Sequence, residues 1–114
     1  MQIEHSTERE IPVLAPHGRL DTETAPAFET ALLETLTEAN RVIVDLAGVD
    51  YISSAGLRVV LMGAKRARNA EGGLVLCGMA PSIRDIFAVS GFLKILTTAE
   101  SREAAADLLA EAGA

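Results

Sequence analysis

The sequence predicts an α/β fold: a mixed, mostly parallel sheet of about five strands with about four helices. Three observations predict it. Short apolar runs alternate along the chain with amphipathic stretches of helical period. One run, Val42-Ile43-Val44, is apolar without alternation, as in a strand covered on both faces. Glycine, proline or capping residues separate the runs and the helical stretches.

The elements follow in order. Gln2–Ser6 and Ile11–Leu20 read as two extended segments, joined by a turn at Thr7–Glu10 that lacks an Asn-Gly pair. Pro12, Pro16 and Gly18 in the second segment point to an edge strand or to bulges. Asp21-Thr22-Glu23-Thr24 is a polar loop in which Thr22 or Thr24 caps a helix with Pro26 in its first turn. That helix runs to about Ala39, with Phe28, Leu32, Leu36 and Ala39 on one face, and Asn40 stops it. Val42–Leu46 is a central strand and Ala47–Asp50 its exit loop. A second helix runs from about Ser54 to Ala70, with Lys65, Arg66 and Arg68 in its last turns, where cations suit the helix dipole. Gly72-Gly73 leads into the strand Leu74–Gly78. Pro81 opens a short helix with Ile83, Ile86 and Phe87 inward, and Ser90-Gly91 stops it. Ile95–Thr98 is a last strand. Ser101 caps a final helix with Ala105, Leu108, Leu109 and Ala112 on one face.

The 114 residues fit one domain, 1–114, with enough chain for a core that needs neither disulfide nor metal. Aromatic residues are 4% of the chain and the net charge is −6, which removes base stacking and phosphate attraction and argues against nucleic acid as a partner. Cys77, the single cysteine, reads as a buried small hydrophobe. The polar start Met1-Gln2-Ile3-Glu4-His5 does not resemble a signal peptide, and no apolar run is long enough for membrane insertion, so a cytoplasmic location is expected.

A parallel sheet collects function at the carboxyl ends of its strands. Here that rim gathers Asp21, the junction Asp50–Gly56 and the loop Gly78–Ser82. Catalytic chemistry is poorly supplied. His17 has no acid spaced to orient it, and no Gly-x-Ser-x-Gly, paired cysteines, His-x-x-x-His or phosphate-binding loop is present. No catalytic residue, metal ligand or cofactor is therefore predicted. Asp45 ends a central strand as the acceptor of a receiver domain does. Yet Asp21 stands alone where a receiver has an acidic pair, and Lys94 precedes the last strand instead of following it. Such an enzyme or receiver would need a divalent ion.

The richest chemistry is the serine pair Ser53-Ser54. One serine suffices as a cap. Two serines before Ala55-Gly56 leave a small, open helix start, where an exposed hydroxyl could carry a phosphate facing backbone N–H groups. Modification there would change a binding surface and spare the fold.

Val42–Leu46 followed by Val49-Asp50-Tyr51-Ile52-Ser53-Ser54-Ala55-Gly56-Leu57 resembles the STAS domain of bacterial anti-sigma-factor antagonists. So do Gly18-Arg19-Leu20-Asp21 with Thr24-Ala25, and Pro81–Phe87 with Ser90-Gly91, and the likeness runs from about residue 3 to 110. The resemblance implies a STAS fold and a partner-switching regulator. Its unmodified form would bind an anti-sigma factor that is also a serine kinase, and so free the sigma factor. Phosphorylation by that kinase would end binding, and a serine phosphatase would reset it. On this resemblance Ser54 is the acceptor, with Ser53 its rival. Asp21, Thr24, Ser53, Ser54, Ala55, Gly56 and Leu57 form the partner surface. Many members carry Asp directly before the acceptor, where this chain has Ser53. STAS domains also serve as constitutive subunits of signalling scaffolds or lipid-transport assemblies, and in that alternative the serines only cap the helix and meet a neighbouring subunit.

Overall fold

The computed structural model describes residues 1–112. The elements are β1 (Gln2–Glu8), β2 (Ile11–Leu20), α1 (Ala25–Glu38), β3 (Arg41–Asp45), β4 (Val49–Ile52), α2 (Ser54–Asn69), β5 (Gly73–Cys77), α3 (Pro81–Val89), β6 (Thr97–Ala99) and α4 (Arg102–Ala112). A short 3-10 turn, Phe92–Lys94, precedes β6. The sheet is ordered β1-β2-β3-β5-β6, with β4 joined to β2. Only β1–β2 is antiparallel; the other pairings are parallel, as the βα alternation requires.

Side chains of the central strands alternate between two cores. Leu14, Val42, Val44, Leu74 and Leu76 face α1, α2 and α3, where Phe28, Leu32, Val60, Ile83 and Phe87 are buried with them. Ile11, Val13, Ile43, Val75 and Cys77 face the other way, onto Ala105, Ala106 and Leu109 of α4. Both faces are thus covered, which is why Val42–Val44 lacks polar alternation. In α4, Leu108 is 38% exposed and not in the core, and the side chain of Ala112 lies outside the described residues.

Three expectations need correction. The stretch read as an exit loop contains β4, which continues the direction of β3 after a turn at Leu46–Gly48. β3 pairs with Val13-Leu14 of β2, and β4 pairs with Gly18–Leu20 further along. The second correction is that β2 is interior, not an edge, while the other alternative, a bulge, is met by a register shift between Gly18 and Arg19. It tolerates its prolines because Pro16 falls in the gap between those two parallel registers and Pro12 before the first, so neither parallel ladder lacks a donor. Thirdly, the last strand starts at Thr97, and Ile95 is half exposed at the end of the 3-10 turn. The 16 residues of α2 and the positions of α1 and α3 agree with the sequence reading.

Candidate functional site: the start of helix α2

The site is built where β4 hands over to α2. Ser53 has extended backbone and is the N-cap; its N–H donates to Leu20 O at 2.9 Å, and its Oγ accepts from Gly56 N at a long 3.5 Å. Ser54 is the first residue of the helix and is exposed. Among the described residues its hydroxyl makes no hydrogen bond, and the N–H groups of Ser54 and Ala55 find no backbone acceptor, as at any helix start. The two serines therefore divide the work: one holds the cap, the other is free.

Gly56 and Leu57 are buried. The helix start is small, as the sequence suggests, but Gly56 does not open it to solvent. Gly56 lies against Ile52 and Leu20 and lets α2 approach β2. Ala55 is half-buried beside it.

The loop after β2 stands next to the serines through the Leu20–Ser53 bond. Asp21 Oδ1 accepts from the N–H of Glu23 at 3.0 Å and of Thr24 at 3.2 Å. Thr24 occupies the N-cap position of α1, as expected, but its hydroxyl does not cap the helix. It donates to Arg19 O at 2.7 Å and accepts from Asp21 N at 2.9 Å, so it closes the loop instead. Desolvation, the largest single influence, pushes the Asp21 carboxyl up, but the Thr24 and Glu23 N–H groups, the Thr24 hydroxyl and Arg19 together outweigh it and hold the carboxyl below its ordinary value. Asp21 is ionised at neutral pH. Arg19 lies 4.2 Å over the Tyr51 ring, with Nε 3.5 Å from Asp21 Oδ2, and this fixes the loop to β4.

The expected single rim has two steps. Ser53 follows the residue level with Leu20, whereas Asp45 follows the residue level with Leu14. Six residues of strand separate the two levels, roughly 20 Å. Asp21, Thr24 and the serines share the upper step. Gly78 belongs to the lower one: with φ at 73°, it packs against Asp45. There Asp45 Oδ2 accepts from Arg102 Nε at 2.7 Å and its Oδ1 from Ala47 N at 2.9 Å, an arrangement that ties α4 to β3. Burial, then the Asp45 charge, push the nearby Cys77 thiol up to about 11, against a smaller opposite effect of Arg102, so the thiol is unreactive at neutral pH.

His17 does have an acid beside it: its Nε2 lies 2.7 Å from Glu4 Oε1, diagonally across the β1–β2 pair. Local spacing could not reveal a partner supplied by another strand. His17 is half-buried and Glu4 exposed, and the pair belongs to the β1–β2 hairpin, not to the start of α2. Among the described residues no cluster of three or more His, Cys, Asp or Glu is placed to hold a metal ion. No helix there is long and apolar enough to cross a membrane. The sequence reading missed Arg58, four residues after Ser54 on α2, which lines a shallow groove with Thr22, Ala25 and Ala55. The i, i+4 spacing was the signal that could have found it.

A six-stranded sheet covered on both faces, with a polar loop and a serine-capped helix side by side at its upper edge, defines the class. The chain belongs to the STAS domain family, whose model matches residues 2–105. Among its relatives is BtrV of Bordetella bronchiseptica, described as an anti-sigma factor antagonist, 48% identical over 90 residues that cover 78% of each chain. The fold is shared with a Thermotoga maritima protein described in the same terms, at TM-score 0.88 and 17% identity over 95% of this chain and 94% of that one. It is shared too with the anti-sigma factor antagonist SpoIIAA. The unphosphorylated form of SpoIIAA matches at TM-score 0.79 and 19% identity over 96% and 97% of the two chains. Its phosphorylated form, from Bacillus, matches at 0.70 and 20% over 94% and 98%.

Proposed function

We propose that this protein is an anti-sigma-factor antagonist that works as a phospho-switch. Unmodified, it binds an anti-sigma factor that is a serine kinase and releases the sigma factor. That kinase phosphorylates Ser54, binding ends, and a serine phosphatase restores the hydroxyl. The protein is substrate and ligand, with no catalysis of its own.

The observation that carries this reading is the division between the serines. Ser54 offers an exposed hydroxyl without a partner at the first turn of α2, and the structure of that turn does not depend on it. A kinase can therefore reach it, and the product phosphate would sit beside helix N–H groups without unfolding anything. Ser53, half-buried and holding the cap, is the poorer acceptor. The kinship with BtrV supports the antagonist role. That SpoIIAA exists in both forms on this fold supports a switch that spares the architecture. Asp21, Thr24, Ser53, Ser54 and Ala55 offer direct contact to the partner. Gly56 and Leu57, being buried, set the position of the helix start.

Phosphate adds about 1.5 to 2 negative charges at a rim where Asp21 is already ionised. A weakening of about 100-fold corresponds to about 2.7 kcal/mol, within reach of one misplaced charge in an interface. Ser54→Ala is expected to bind the kinase permanently and Ser54→Asp to bind it at least about 10-fold more weakly, read by calorimetry with the purified partner. Equal affinity of Ser54→Asp and wild type would sink the switch. Phosphosite mapping on protein from its own cells completes the test: phosphate on Ser53 would move the acceptor, and unmodified protein under every growth condition would leave a constitutive subunit.

A further inference from the structure

Ser54 and Arg58 stand one helical turn apart on the same face of α2. Long side chains on a helix lean toward its N-terminus, so Arg58 is within reach of the turn that begins with Ser54. It is exposed and lines the groove with Thr22, Ala25 and Ala55, and also a second one further along α2 with Leu61, Met62 and Lys65. Among the described residues its guanidinium has neither an ion pair nor a hydrogen bond. Arg19, the other cation near this step, is already engaged with Tyr51 and Asp21. The other charged groups nearby are acids in the loop (Asp21 and Glu23), on α1 (Glu29) and on β4 (Asp50), while α3, which packs against β4, adds Arg84 and Asp85.

We propose that Arg58 is the intramolecular counter-ion of a phosphate on Ser54. The inference rests on Ser54 as the modified residue. A guanidinium and a phosphate dianion form a two-pronged hydrogen-bonded pair, and an anion that precedes its cation by four residues has the favourable orientation on a helix. Ser53, five residues before Arg58, has no such register. The pairing gives modification a second effect: it draws Arg58 out of the α1–α2 groove toward the helix start. The surface a partner meets then changes along a full turn of α2 and not at one hydroxyl alone.

The test installs phosphoserine at position 54 during synthesis, so that it depends on no kinase, and follows the phosphate by 31P NMR titration. With Arg58 present the second phosphate ionisation lies low. Arg58→Ala is expected to raise it by about 0.3 units or more, Arg58→Lys to restore part of the difference, and added salt to shrink it. Arg19→Ala is expected to change it less than Arg58→Ala does. No measurable rise in Arg58→Ala, or a larger rise in Arg19→Ala, overturns the pairing. Arg58 is exposed, so its substitution leaves the fold intact, and circular dichroism checks this. Failure of Ser54 as the natural acceptor would appear in the phosphosite map and not in this titration.

Discussion

Gly56 illustrates how a single hydrogen can set the position of a switch. A Cβ there would stand 2.8 Å from the Leu20 carbonyl oxygen and from Ile52 Cγ1, and 2.9 Å from Leu20 Cγ. Its backbone is ordinary helix, so the glycine is required by close approach and not by conformational freedom. The Leu20 carbonyl it touches is the one that accepts from Ser53 N–H. Gly56→Ala must therefore push the first turn of α2 off β2 and strain the bond that locates both serines. Overpacking of this kind costs about 1–3 kcal/mol. Urea unfolding should show that loss as a lower midpoint with an unchanged slope, and wild-type stability in the variant would contradict the close packing. Sequence alone suggests smallness at Ala55-Gly56. It does not distinguish a small residue that opens a surface from one that closes a seam, because the difference lies in β2, more than 30 residues upstream.

Among the elements, the β1–β2 hairpin carries an unfavourable turn. Arg9 and Glu10 connect Glu8 to Ile11 with φ of 49° and 69°, as a two-residue turn of the I′ kind requires. Neither is the Asn-Gly or Asp-Gly that such a turn favours, which is why the turn is hard to read from sequence. The compensation is tertiary: the Arg9 guanidinium donates to Glu103 O at 2.9 Å and pairs with Asp107 at 2.7 Å, fastening the hairpin to α4. Left-handed backbone costs a side-chain-bearing residue roughly 1–2 kcal/mol, and Glu10 makes none of the contacts of Arg9. Glu10→Gly is thus expected to stabilise the protein by about 1 kcal/mol, read as a higher thermal midpoint. A destabilised Glu10→Gly would mean that the Glu10 side chain holds the turn. The same limit hid β4. Val49–Ile52 is four residues long with two exposed, and its strand character comes from the free edge of β2 that β3 leaves behind after Leu14. Helices α1 and α2, by contrast, carry their own period and start and stop signals and are legible nearly to the residue, although only α2 has the side-chain cap that its sequence suggests.

For the molecule as a whole, the sheet with two unequal cores is what sequence pattern conveyed best. Continuous apolar strands implied covering on both faces, and period-2 alternation divides them: even residues of β3 and β5 face α1–α3, odd residues face α4. What pattern could not convey was height along the sheet, since the jog from β3 to β4 that separates the serine step from Asp45 and Gly78 is a matter of register. Cys77 reports on the smaller core. It lies beneath α4, 1% exposed, and its thiol is shifted from the ordinary 9.0 to about 11. Because the folded value is the higher one, the folded protein holds a proton that the unfolded chain has lost, and only between those two pH values. The contribution of the buried thiol is thus complete below pH 9 and is lost as pH rises toward 11, by roughly 2 to 3 kcal/mol. Cys77→Ala removes that titration along with some packing. The stability difference between wild type and Cys77→Ala, measured by urea unfolding at several pH values, should stay constant up to about pH 9 and then move in favour of the variant. Parallel pH profiles would mean that water reaches the thiol, and that α4 covers its face of the sheet less closely than the packing of Ala105, Ala106 and Leu109 implies.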